Sequence, residues 1–238
     1  MNMPFRLTKR AGSILSKGFT LIELLAVMAI IAILAAALVP QIPKWIDQAN
    51  VTACSSNMQD LYRNFTLYKA RMSHKDWPNE SGIRFFMALW KSDPSSHDDT
   101  FAKRFTCPGV KPRLLTGLTS DKPAEWFNDW DALDSNCTAY AGRDLAKFPN
   151  LDTRSGNEAI VADDNELAMD EKDPIPNHLY STVVLYADGS VRPIEVTELW
   201  EKGVLNKNQY PIAGPECPVD ELKKLRNDAP VSKTKKKN

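Results

Sequence analysis

The chain holds 238 residues, 43% hydrophobic and 25% charged, with 10 glycines, 16 prolines and 4 cysteines. Those proportions fit one or two globular units and exclude collagen-like, low-complexity and disulfide-dense chains. Equal totals of 30 cations and 30 acids exclude a wholly basic nucleic-acid binder, yet they hide three unlike regions. Residues 1–18 carry four cations (Arg6, Lys9, Arg10, Lys17) and no acid, residues 19–218 carry 19 against 27, and residues 219–238 return to seven against three.

Residues 19–39 read FTLIELLAVMAIIAILAAALV, 21 residues whose only charge is Glu23, and Pro40 comes next. That length spans a bilayer. A secretory signal has a shorter apolar core, of about 7 to 15 residues, although Ala35-Ala36-Ala37 keeps a cleavage site open as an alternative. Cations ahead of the span hold the first 18 residues in the cytoplasm and export the chain beyond Val39. Glu23 needs a reason, because a carboxylate inside a membrane helix is costly even on lenient insertion scales. Either it snorkels to the interface or it has a function.

The context of Glu23 favours function. Gly18-Phe19-Thr20-Leu21-Ile22-Glu23, behind Lys17 and a short basic leader and ahead of an apolar helix, resembles the processing site of type IV prepilins and type II secretion pseudopilins. The resemblance covers about the first 40 residues. It implies that a prepilin peptidase cuts after Gly18, where the missing side chain admits a close backbone approach. It also implies that Phe19 becomes an N-methylated terminus and that Glu23 offsets the amine of a neighbouring pilin or pseudopilin subunit. A buried carboxylate and a buried ammonium are each costly alone and tolerable together.

Pro40 and Pro43 lie just past the span, where each removes a helix hydrogen bond and can bend the axis. Beyond them Ile46, Ala49, Ala53, Met58, Leu61, Tyr62, Phe65, Tyr68 and Met72 recur at mostly three- and four-residue steps, one amphipathic face. Residues 40–75 therefore read as the lower half of a stalk. Trp77-Pro78-Asn79 ends that pattern, and residues 83–90 suit a short helix with Phe86, Leu89 and Trp90 inward. Residues 91–157 lack periodicity and read as loops with Trp126, Phe127 and Trp130 as anchors. Strand signals come at 159–162, 181–187 and 190–196, with Asp188-Gly189 as a hairpin turn between the last two. Thr197 is expected to cap a short helix that Gly203 closes.

Together these elements predict an α+β, pilin-like lollipop: leader 1–18, membrane helix 19–39, amphipathic stalk 40–75, α+β head 76–218 and a disordered basic tail 219–238. His178, followed by nine residues and then Asp188-Gly189, together with Cys107-Pro108 upstream, resembles the C-terminal pattern of a large bacterial group of prepilin-type proteins. No activity is carried over from that resemblance.

An exported head permits disulfides, and Cys54, Cys107, Cys137 and Cys217 allow three full pairings. Cys107 with Cys137 is the favoured pair, since both lie in the loop-rich stretch; closing that loop is worth about 3 to 4 kcal/mol. No Cys-x-x-Cys pair is present, which argues against zinc. No cofactor is expected, except that the acidic run containing Asp163, Asp164 and Asp170 offers hard oxygen ligands of the kind calcium takes. The spacing is not that of an EF-hand, and a solvated acidic loop is the plainer reading.

Two functions of different class fit this sequence. One is a structural, non-enzymatic subunit of a type IV pilus-like filament or a secretion pseudopilus, anchored by a single pass in the bacterial inner membrane with its head periplasmic or extracellular. The other is a tethered binding module or enzyme that uses the leader only for export and anchoring. No nucleophile elbow, metal-ligand motif or phosphate loop supports the enzyme. The expected partners are the prepilin peptidase, fellow subunits and the membrane, with no nucleic acid.

Overall fold

Thr20 begins the first helix, α1 (Leu21–Leu38), as a side-chain N-cap. The computed structural model describes residues 19–71, 77–110, 114–165 and 176–228. The chain divides into two units, Met1–Pro43 and Lys44–Asn238. In the first, none of the 18 residues of α1 is buried by protein, and the helix is apolar and long enough to cross a membrane. Pro40 lacks an N–H for the α-helical ladder, and there the backbone tightens into one 3-10 turn, Val39–Gln41, before α2 (Ile42–Arg71) resumes.

In the second unit, α2 buries Asp47, Val51, Cys54, Met58, Leu61 and Phe65. The lower part of the expected stripe is right, but its upper part is rotated: Ile46, Ala49 and Ala53 are exposed. Asp47 and Cys54 take the inward positions because the head supplies polar partners for both, which hydropathy cannot register. The Asp47 carboxylate accepts the Leu179 N–H at 2.8 Å. Met72 lies outside the described residues.

Helix α3 (Ile83–Ser92) is buried continuously from Ile83 to Trp90, so it is enclosed rather than one-faced. Even Arg84 is covered, its guanidinium donating to the Trp130 carbonyl at 3.2 Å. Phe65 meets Phe85 at 5.1 Å between ring centres, and Trp90 meets Phe101, Phe105 and Phe127 at 5.6 to 6.0 Å. Such aromatic pairs add stabilisation beyond the area they bury. Of the expected anchors, Phe127 is fully in the core, with Trp126 and Trp130 packed at its edge. The stretch read as loops also holds α4 (Asp99–Lys103), capped by Asp98.

The sheet is antiparallel and five-stranded among the described residues, in the order β4-β3-β2-β1-β5. Its strands are β1 (Tyr140–Arg143), β2 (Ala159–Asp163), β3 (Ser181–Tyr186), β4 (Val191–Glu195) and β5 (Leu225–Arg226). The central strands are wholly buried, while β4 is half exposed, and only that edge position tolerates Pro193. The order of a long N-terminal helix and then an antiparallel sheet is the α+β arrangement expected.

Two expectations need correction. Thr197 does not cap the last helix, α5 (Val196–Glu201), because the chain enters it directly from β4 at Glu195. Nor is the segment after residue 218 wholly a tail: Leu222 and Leu225 are buried and β5 pairs with β1. Those two apolar side chains outweigh the surrounding charge. Lys233 to Lys237 lie outside the described residues.

The Asp188-Gly189 hairpin turn forms as expected. Gly189 has φ +89°, and a Cβ there would lie 2.5 Å from the Tyr62 ring of α2. Gly189→Ala is therefore expected to lower stability by about 1 to 3 kcal/mol, through left-handed strain plus displacement of Tyr62. Thermal unfolding of the full chain in detergent checks this; an unchanged midpoint would mean that the turn and ring give way freely.

Candidate functional site

The N-terminal motif organises itself around Glu23. The Thr20 backbone N–H and hydroxyl donate to Glu23 Oε2 at 2.8 and 2.7 Å, and the Glu23 N–H donates to Thr20 Oγ1 at 3.3 Å. This is a capping box, in which each residue satisfies an orphan donor of the other at the helix start. The signal for it, Thr with Glu three residues later ahead of an apolar run, stands in the sequence as Thr20-Leu21-Ile22-Glu23, and the charge-burial argument overlooks it. Both side-chain bonds end on Oε2. Phe19 is exposed beside this box, and Gly18 lies outside the described residues.

A second site lies in the head and is assembled from four single residues. Cys54 comes from the middle of α2, Cys107 from the turn after α4, Asp163 from the end of β2, and His178 from the segment entering β3. All four are buried, each at most 1% exposed. The Cys54 thiol donates to the Asp163 carboxylate at 3.3 and 3.5 Å, His178 Nε2 lies 3.2 Å from Asp163 Oδ2, and Cys107 Sγ lies 3.3 Å from that same ring nitrogen. One possible ligand atom from each residue falls within 4.8 Å of all the others.

A polar surround holds these four atoms. The Tyr140 hydroxyl is 3.4 Å from Cys54 Sγ, the Gly109 N–H donates to Cys107 Sγ at 3.4 Å, and the Val183 N–H donates to Asp163 Oδ2 at 3.1 Å. His178 Nδ1 is buried with no hydrogen-bond partner among the described residues, and faces Asp47 Oδ1 at 3.9 Å. Burial, seconded by Cys107 and Asp163, pushes the Cys54 thiol well up. Burial works against the charged form of His178, but hydrogen bonds with Asp163 and Cys107 outweigh it and raise the ring to about 10. Beside the cluster lies a cavity of about 660 Å³ whose lining includes Ala53, Asn57, Cys107 and Trp126.

The other predicted site residues fall elsewhere. Cys107 and Cys137 are not joined, and all four cysteines are free. Cys107 is engaged by His178, whereas Cys137 lies against Asp134 and the Ala132 carbonyl, with burial raising its thiol to about 11. Of the three acids considered for calcium, only Asp163 and Asp164 are among the described residues. Asp163 and Asp164, as strand neighbours, point to opposite faces of the sheet. Asp164 accepts the Ala213 N–H at 3.1 Å and the Asn227 amide at 2.8 Å, and Asp170 lies outside the described residues. His178, from which no activity is carried over on sequence grounds, is buried where Cys107 and Asp163 meet.

Comparison with known proteins bears on the N-terminal site. The family described as the prokaryotic N-terminal methylation motif matches residues 15–39. The chain is 42% identical over 52 residues to type II secretion system core protein G of Pseudomonas aeruginosa, a match covering 22% of this chain and 37% of that protein. No solved structure matches the chain. With that motif ahead of α1, and with a long helix leading into an antiparallel sheet, the chain carries a prokaryotic N-terminal methylation motif and is similar over that region to a type II secretion pseudopilin, of whose length it spans little more than a third.

Proposed function

We infer that the protein is a structural subunit of a type IV pilus-like filament or secretion pseudopilus, and that it performs no chemistry of its own. The observation that carries this reading is the methylation motif at residues 15–39, set directly ahead of an apolar helix long enough to cross a membrane. In this reading prepilin peptidase cuts after Gly18 and Phe19 becomes the methylated terminus. The subunit waits in the bacterial inner membrane with its leader cytoplasmic and its head exported, as the cations before α1 favour. Assembly then buries the wholly exposed apolar surface of α1 against other subunits.

Glu23 supports the same reading. Its capping bonds occupy Oε2 and leave Oε1 for a cation from outside the chain, as the terminal amine of a neighbouring subunit would provide. Co-expression of the full chain with a prepilin peptidase is expected to yield a product shorter by the leader, and a bulky substitution, Gly18→Leu, to block that conversion. A chain of unchanged length with an active peptidase would instead leave α1 as a plain anchor for a tethered head.

A further inference from the structure

We propose that Cys54, Cys107, Asp163 and His178 form a structural site for a tetrahedral divalent transition metal, zinc being the ion it fits. This goes beyond the filament reading and does not depend on it. Zinc bonds of about 2.3 Å to sulfur and about 2.0 to 2.2 Å to nitrogen or oxygen give a tetrahedron with edges of about 3.3 to 3.8 Å. Asp163 Oδ2 lies 3.5 Å from Cys54 Sγ and 3.2 Å from His178 Nε2, Cys107 Sγ lies 3.3 Å from that same ring nitrogen, and one ligand atom from each of the four residues falls within 4.8 Å of the others. Sulfur and imidazole ligands exclude calcium and magnesium, which take oxygen.

The surround is that of a metal site as well as the ligands. Gly109 and Tyr140 aim donors at the two sulfurs, which suits thiolates that accept them. His178 presents Nε2 to the other three ligand atoms, while its buried, unpartnered Nδ1 faces the Asp47 carboxylate. A ring that binds metal through one nitrogen and turns the other toward a carboxylate is the usual way such ligands are oriented. That gives Asp47, the acid on the buried face of α2, a reason to be there. Gly109 is required at its place, since a Cβ would collide with the Asn177 carbonyl next to His178.

Binding balances simply: the ion displaces the thiol protons of Cys54 and Cys107 and the Nε2 proton of His178, leaving two thiolates, a neutral imidazole and a carboxylate. The cavity beside Cys107 provides the approach. The ion ties α2 to three separate segments of the head, so the site staples the stalk helix to the sheet. Spacing rules for zinc miss such a site because its ligands enter singly, from four parts of the chain.

The test is elemental analysis and cobalt spectroscopy on the full chain purified in detergent. One zinc ion per chain is expected. Cys54→Ser, Cys107→Ser and His178→Ala should retain less than a tenth of it, and Cys137→Ser and Cys217→Ser all of it. Because a ligand variant that misfolds also loses metal, unaltered protein is stripped and reloaded with cobalt. A thiolate-to-cobalt charge-transfer band with the intense visible bands of tetrahedral cobalt is expected, as is a fall of several degrees in melting temperature on chelation. A Cys54–Cys107 disulfide in the freshly isolated chain, full zinc in Cys107→Ser, or reloaded protein without these bands would overturn the proposal.

Discussion

Replacing Glu158 with alanine is expected to cost about 3 kcal/mol and to lower the melting temperature by about 6 to 12 °C. Arg143, the last residue of β1, is 1% exposed, and its guanidinium donates to Glu158 Oε2 at 2.7 Å. Lys224, next to β5, binds the other carboxylate oxygen. Removing Glu158 would leave a buried cation whose hydrogen bonds among the described residues are those to the Asn150 and Ala159 carbonyls, at 3.0 and 3.3 Å. Those two bonds keep the loss near the lower end for a broken buried pair. It would also free the Lys224 end of the segment that closes the sheet.

The same carboxylate gives the effect a pH signature. Burial tends to raise its pKa, but Lys224 and Arg143 outweigh burial and hold it below the ordinary value. The carboxylate therefore contributes fully above the unfolded-state value of about 4.3, and the contribution is lost as pH falls through the lower folded value. Melting of the unaltered chain and of Glu158→Gln should differ by a constant amount near neutrality and converge once the pH falls below the lowered folded-state value. A difference that persists into stronger acid would mean that lost packing, rather than the charge, is responsible.

The second large effect concerns assembly. Glu23→Ala should leave the protein membrane-bound and its head folded, since among the described residues the Glu23 side chain bonds only with Thr20, while the amount recovered in filaments falls by roughly a hundredfold. A neighbour's terminal amine left without a counter-charge in an apolar interface is strongly disfavoured. Glu23→Gln separates the two duties of the side chain: it keeps the capping bond from the Thr20 N–H but loses the charge. If the glutamine variant assembles normally, Glu23 serves only as a helix cap.

Local patterns explain which elements could be read in advance. The apolar run of α1, the capping residues Thr20 and Glu23, helix α3 and the Asp188-Gly189 hairpin each declare themselves within a few residues. Strand β1 does not: Tyr140-Ala141-Gly142-Arg143 contains a glycine and a cation, and it is a strand because β2 and β5 flank it and Glu158 neutralises Arg143. Strand β5 hides in a segment that reads as basic tail. The inward turn of Asp47 and Cys54 on α2 is invisible to hydropathy because their partners, Leu179, Asp163 and Tyr140, are brought in by distant chain. The Cys-Asp-His cluster is legible only in three dimensions for the same reason.

Whether the chain is processed as a prepilin-type subunit is read from the mass of the N-terminal peptide of the protein recovered from native membranes. A peptide beginning at Phe19 and heavier than its unmodified sequence by one methyl group is expected. An intact leader beginning at Met1, or a terminus near Leu38 left by signal peptidase, would contradict it.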